Sequence, residues 1–339
     1  MRKTSLYQLF GLGILLVFSI SLGVVGMNAT ANADTCKHRG DLDTPFCDED
    51  GDLLADTPKN PDQWLDPDTL VFSYTAVEDP SVYENVFSEL MDHIALKTGK
   101  KVKWYGPESY AAQVEAMRSG RLHVSGFAAG ATVYGVNLGG FHPLAMMGNK
   151  DGTFRGYQLW LITHKDSDIK TVKDLKGRKV AHVTPSSNSG NQAPRALFKS
   201  MGVVPDEDYK VIYSGKHDNS IMGVVNKDYD AAPVASTVMQ RMMERGVFEP
   251  SEVRIIWKSD QFPGTSYGCA YNLTPDLQKK IKDAFLTFDW KGSGLEKDFG
   301  KRANAFIAVD YIKHWNVLRT IQKANNVVYN QEALSGLKK

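Results

Sequence analysis

Residues 179–202 read KVAHVTPSSNSGNQAPRALFKSMG. The apolar run KVAHVT (179–184) has the length of a buried strand. A polar loop, 185–189, follows, and GNQAPRALFKSMG (190–202) then carries the spacing of a helix. Strand, loop and helix in this order make one βα unit. A helix start offers N–H groups without intrahelical partners and a partial positive charge. Ser186, Ser187, Asn188 and Ser189 add hydroxyl and amide donors at that point, so the loop suits a tetrahedral oxyanion. Neither G-x-x-x-x-G-K-[ST] nor G-x-G-x-x-G occurs, which argues against a nucleotide phosphate loop.

The same residues admit two other readings. Ser and Asn are common helix caps and need no ligand. Alternatively, Ser187 or Ser189 is a nucleophile, with His217 as base and Asp218 nearby. The position two before either serine is not Gly, so the G-x-S-x-G elbow of a hydrolase is missing.

Outward from this unit the alternation continues on both sides. Upstream, TLVFSYT (69–75), KVKWYG (101–106) and RLHVSGF (121–127) read as strands, and 81–99 and 110–120 as helices. Strands follow at YQLWLITH (157–164), DYKVIYS (208–214), DYDAAPV (228–234), EVRIIWK (252–258) and YGCAYNL (267–273). Helices are expected at 171–177, 218–227, 236–245 and 274–288, the last with Thr274 as cap and Pro275 in the first turn. Such alternation predicts parallel sheets in two α/β lobes. The expected organisation is one lobe from 68–157 and 262–339, a second from 158–261, and a cleft between them where ligands tend to bind. Hinges are expected near 156–160 and 257–266.

The chain has 339 residues, 42% of them hydrophobic and 23% charged, within the range of soluble globular proteins. Residues 1–33 read as a signal peptide: Arg2 and Lys3, an apolar run, then Ala31-Asn32-Ala33 as the cleavage signal. Cleavage there removes two cations and no acids, turning the formal charge of +1 into −1. A near-neutral surface gives no footprint for nucleic acid, so an anion must be caught by local geometry. Residues 34–67 read as a polar, acidic arm rather than core. In an oxidising compartment Cys36 and Cys47 are expected to form a disulfide. DEDGDLLAD (48–56) departs from the EF-hand spacing and reads as an acidic turn. Cys269, in YGCAYNL, reads as a buried, inert thiol. H-E-x-x-H and Cys/His ligand spacing are absent, so no metal or cofactor is expected.

Several motifs, taken in order, resemble one known family. They are YGPESYAAQVEAMRSGRLHVSGF (105–127), DGTFRGYQLWLITHKDSDI (151–169), TPSSNSG (184–190), SGKHDNS (214–220) with NKDYDAA (226–232), and IIWKSDQFPG (255–264). From about residue 69 to 320 the chain resembles the periplasmic substrate-binding proteins of phosphonate, phosphite and phosphate ABC transporters. The resemblance implies a two-lobed type II binding fold with a hinge. It implies an exported, periplasmic and monomeric protein that captures a small phosphorus oxyanion and delivers it to a membrane permease. It assigns the anion cradle to Ser187, Asn188 and Ser189, a further donor to His217, and two cleft tyrosines to Tyr110 and Tyr157. The family commonly has Thr where this chain has Asn188.

Relatives that bind aminoalkyl phosphonates set two carboxylates against the ligand amine; the matching positions here are Thr237 and Thr265. A buried ammonium without a carboxylate is poorly compensated. The expected ligand therefore carries a small uncharged substituent: phosphite, methylphosphonate or phosphate. The family's usual aromatic after the third strand is missing, with Thr132 near its place. A binder of arsenite or arsenate serving a sensor, and an exported serine hydrolase, stand as alternatives.

Overall fold

The computed structural model describes residues 36–336; the signal-peptide reading of 1–33 lies outside them. In chain order the strands are β1 (Thr69–Tyr74), β2 (Lys101–Tyr105), β3 (Val124–Phe127), β4 (Phe141–Gly148), β5 (Leu159–His164), β6 (Lys179–His182), β7 (Lys210–Tyr213), β8 (Ala231–Ala235), β9 (Val253–Lys258), β10 (Ser266–Ala270) and β11 (Ala305–Ala308). They form a six-stranded sheet in the order β11-β4-β10-β3-β1-β2 and a five-stranded sheet in the order β7-β6-β8-β5-β9. The chain returns to the first sheet after β9.

The expectation of parallel sheets holds only in part. β1 pairs in parallel with β2 and β3, and β6 with β7 and β8. β10 runs antiparallel to β3 and β4, and β5 antiparallel to β8 and β9. The reason lies in the crossovers. β1, β3, β6 and β8 end at the same cavity, whose lining includes Tyr74, Ala128, Ser187 and Ala235. A strand that arrives directly from the other sheet begins at that end and must run the opposite way.

The two crossovers lie side by side. Tyr157 N donates to Phe262 O at 3.0 Å, and Phe262 N to Tyr157 O at 2.7 Å. A Cβ on Gly156 would stand 2.4 Å from Phe262 O, so only glycine lets these segments pass so closely.

Several elements differ from the sequence reading. Helix Ala129–Gly139 and strand β4 have no counterpart in it. Every residue of that helix is buried, so it shows no polar face. The helix expected over 81–99 spans only Ser88–Thr98. Tyr83 and Phe87 are both fully buried in an aromatic cluster with Phe72 and Tyr74, and the chain before Ser88 turns to deliver both rings.

The 34–67 segment differs as well. It contributes Leu42, Phe46 and Ala55 to the core rather than lying outside it. Phe46 packs edge-on against Tyr271, centroids 5.2 Å apart, and buried Asp43 pairs with Arg118 at 2.7 Å. Its few apolar residues are spaced too sparsely to give a periodic signal. Cys36 and Cys47 form the expected disulfide. Asp48 accepts from the N–H groups of Gly51, Asp52 and Leu53, as an acidic turn does.

Candidate ligand-binding cleft

A cavity of about 100 Å³ lies where the two sheets' connecting segments meet, enough for several waters or one small oxyanion. Its wall holds residues at the start of five helical segments. These are Tyr110 of Tyr110–Arg118, Gly130 of Ala129–Gly139, Asn188 of Asn188–Gln192, His217 of His217–Val225, and Thr237 of Ser236–Glu244. In the second and fifth, the N-cap residues Ala128 and Ala235 make no side-chain cap. First-turn N–H groups there have no side-chain acceptor and suit an anion.

All eight residues named from sequence line this cavity: Tyr110, Tyr157, Ser187, Asn188, Ser189, His217, Thr237 and Thr265. They come from six segments far apart in the chain. The loop does not open directly into an α-helix as expected; one π-helical turn, Asn188–Gln192, precedes helix Ala193–Ser200. Ser187 caps that turn by accepting from Gly190 N at 3.2 Å. Asn188 Nδ2 donates to Tyr157 Oη at 3.0 Å, so the amide steadies the tyrosine. Tyr110 is 1% exposed, and its hydroxyl faces the Ser187 side chain. Burial holds the Tyr110 phenol well above its usual range and pushes Tyr157 up to about 12, so both stay protonated donors. Thr265 Oγ1 lies 3.4 Å from Tyr74 Oη.

His217 is 2% exposed, and desolvation by burial lowers its pKa to about 3. The imidazole is therefore neutral near pH 7. Its Nδ1 accepts from Ala235 N at 3.2 Å, which puts the ring proton on Nε2. Nε2 lies 3.4 Å from Ser187 Oγ at the cavity wall, as an anion donor requires and opposite to what a base for Ser187 requires. Asp218 accepts from Asp79 N and Asn219 N, while Nδ1 of His217 is already taken by Ala235. A serine–histidine–aspartate relay is not assembled.

Thr132 does not line the cavity; its hydroxyl bonds Phe127 O at 3.0 Å and Ser266 Oγ at 2.7 Å. Cys269 is buried in β10 away from the wall, its thiol pushed up to about 12 by burial. Sequence reasoning missed Gly130, Arg155, Arg241 and Arg302. Arg241 had a signal, since it follows Thr237 by one helical turn. Among the described residues no carboxylate lines the cavity.

Two mixed α/β sheets, paired crossovers and a donor-rich cavity between them define a two-lobed type II binding protein. Solved structures agree on the fold. A binding-protein component of an ABC phosphonate transporter from Pseudomonas aeruginosa has a TM-score of 0.66 at 22% identity, over 80% of this chain and 94% of that one. PhnD1 from Prochlorococcus marinus, in complex with methylphosphonate, has a TM-score of 0.67 at 18% identity, over 77% and 99%. The phosphate-import protein PhnD of Mycolicibacterium smegmatis is 30% identical over 229 residues, 65% of this chain and 71% of that protein. Residues 72–315 match the model of the periplasmic substrate-binding proteins of phosphonate ABC transporters. The chain belongs to that family. Among the described residues no helix is long and apolar enough to cross a membrane.

Proposed function

We propose that this protein captures a small phosphorus oxyanion without an amine — phosphite, methylphosphonate or phosphate — between its lobes and hands it to an ABC permease. One observation carries the reading: a cavity walled by five helix starts and by hydroxyl and imidazole donors, with no carboxylate among its described lining. Ser187, Ser189 and the Nε2–H of His217 replace the anion's water, and Tyr110 and Tyr157 cover it. The lobes turn about the paired crossovers, and tighter binding to the closed form drives closure. The protein acts as an exported monomer that performs no chemistry on its ligand. That M. smegmatis relative is a phosphate-import protein and the P. marinus structure holds methylphosphonate, so both ligands enter the test.

Titration calorimetry of the purified protein with phosphite, methylphosphonate, phosphate and 2-aminoethylphosphonate is the direct check. The first three are expected to contain the tightest ligand. Tightest binding of the amine compound would reverse the assignment of Thr237 and Thr265. Turnover of a chromogenic phosphate or carboxylate ester would restore the hydrolase reading.

A further inference from the structure

Thr237 and Arg241 sit one turn apart on helix Ser236–Glu244, and both line the cavity. Arg241 is 3% exposed. Its Nη2 donates to Glu78 Oε1 at 2.5 Å and to Tyr83 Oη at 2.9 Å. Its Nε faces Asp298 Oδ2 at 3.6 Å, and its guanidinium lies 5.0 Å from the centroid of Phe299. These four partners sit on segments joining strands of the first sheet, whereas Arg241 belongs to the second. A guanidinium held from so many sides cannot swing away from a bound molecule. Glu78 and Asp298, its counter-charges, do not line the cavity. Arg245 bonds the other oxygen of Glu78 and does not line the cavity either.

We infer that Arg241 is a specificity-determining residue that sets the charge allowed on the ligand's substituent, admitting neutral and carboxylate-bearing phosphonates and rejecting ammonium-bearing ones. This rests on the phosphorus-oxyanion reading above. An ammonium entering the cavity meets a fixed like charge and no carboxylate, so its lost hydration goes uncompensated. A carboxylate such as that of phosphonoacetate meets an opposite charge and unspent donors, including buried Arg302 Nε, which has no hydrogen-bond partner. The two threonines leave an amine unpaired; Arg241 actively repels it.

The test is calorimetry with ligands matched in shape. Propylphosphonate has a methyl where 2-aminoethylphosphonate has its ammonium, so size is held constant. The wild-type protein is expected to bind propylphosphonate and phosphonoacetate at least roughly tenfold tighter than the amine. Arg241→Met should shrink the propyl-to-amine ratio by at least roughly tenfold, because the cation at the wall is gone and Glu78 behind it keeps only Arg245 as a close counter-charge. Arg241→Lys should preserve the ratio. Arg245→Met loosens the same carboxylate from outside the cavity and should weaken both ligands in parallel, leaving the ratio alone. If Arg241→Met does not fold, the Glu78→Gln, Arg241→Met pair removes both charges and should also shrink the ratio. An unchanged ratio in Arg241→Met, or in the double variant where the single one does not fold, or a wild-type preference for the amine, overturns the inference while leaving oxyanion capture standing. Absence of binding to every phosphonate, phosphite and phosphate would overturn both.

Discussion

Two turns meet at the cavity wall and use opposite means. The second sheet contributes 184–189, rich in hydroxyls and an amide, where side chains make the donors. The first contributes 128–130, Ala-Ala-Gly, where only backbone can donate. The polar turn has donors to spare, so losing one weakens binding by a step. The bare turn works only because nothing projects from it. A Cβ on Gly130 would stand 2.5 Å from Ser186 O and 2.7 Å from Asn188 N, both backbone atoms that cannot turn aside. A helix start thus serves an anion either by carrying polar side chains or by carrying none.

The largest effect expected from this contrast is at Gly130. Gly130→Ala should hold the lobes apart and weaken every ligand by at least about 100-fold, with melting temperature little changed. Wild-type affinity in calorimetry would mean that the lobes close without this contact. On the polar side, Ser189→Ala and His217→Ala should each weaken anion binding by roughly 10- to 100-fold, the worth of a hydrogen bond to a charged group. Unchanged affinity in both variants would remove the cradle assignment.

Acidification separates stability from binding. His182 and His217 are buried and neutral, with pKa values of about 4 and about 3, lowered by desolvation. In the unfolded chain they take up protons near pH 6.5, so the unfolded state binds more protons below that value. Stability should fall as pH drops from about 6.5 toward 4, by about 1–2 kcal/mol per histidine at pH 5. Urea titrations at pH 7 and pH 5 measure this, and each His→Gln variant should flatten the slope. The smallest effect is expected from Asn188→Thr, which loses the donor to Tyr157. Affinity should fall only a few-fold, matching a neutral hydrogen bond of about 1 kcal/mol; a loss as large as that of Ser189→Ala would make Asn188 a direct ligand contact.

The same contrast explains what could be read in advance. Ser187, Asn188, Ser189 and His217 stand in polar loops between apolar strands and helices, and polarity in such a place is visible in one dimension. Residues 129–139 lie in a helix buried on all sides, whose mostly small residues carry no period. Arg241 shares a helix face with Thr237, but nothing in the surrounding sequence says what that face meets. Its role depends on Glu78, Tyr83 and Asp298, which are 57 to 163 residues away in the chain.

The alternation of strands and helices, the polar loop after β6 and the absence of acids at 237 and 265 are local properties, and the sequence alone determined them. Which strands run antiparallel, which helix starts converge, and whether His217 carries a charge were decided only by tertiary structure. Each depends on what surrounds a group in space. Burial and close approach are set by segments distant in the chain, and no local pattern records them.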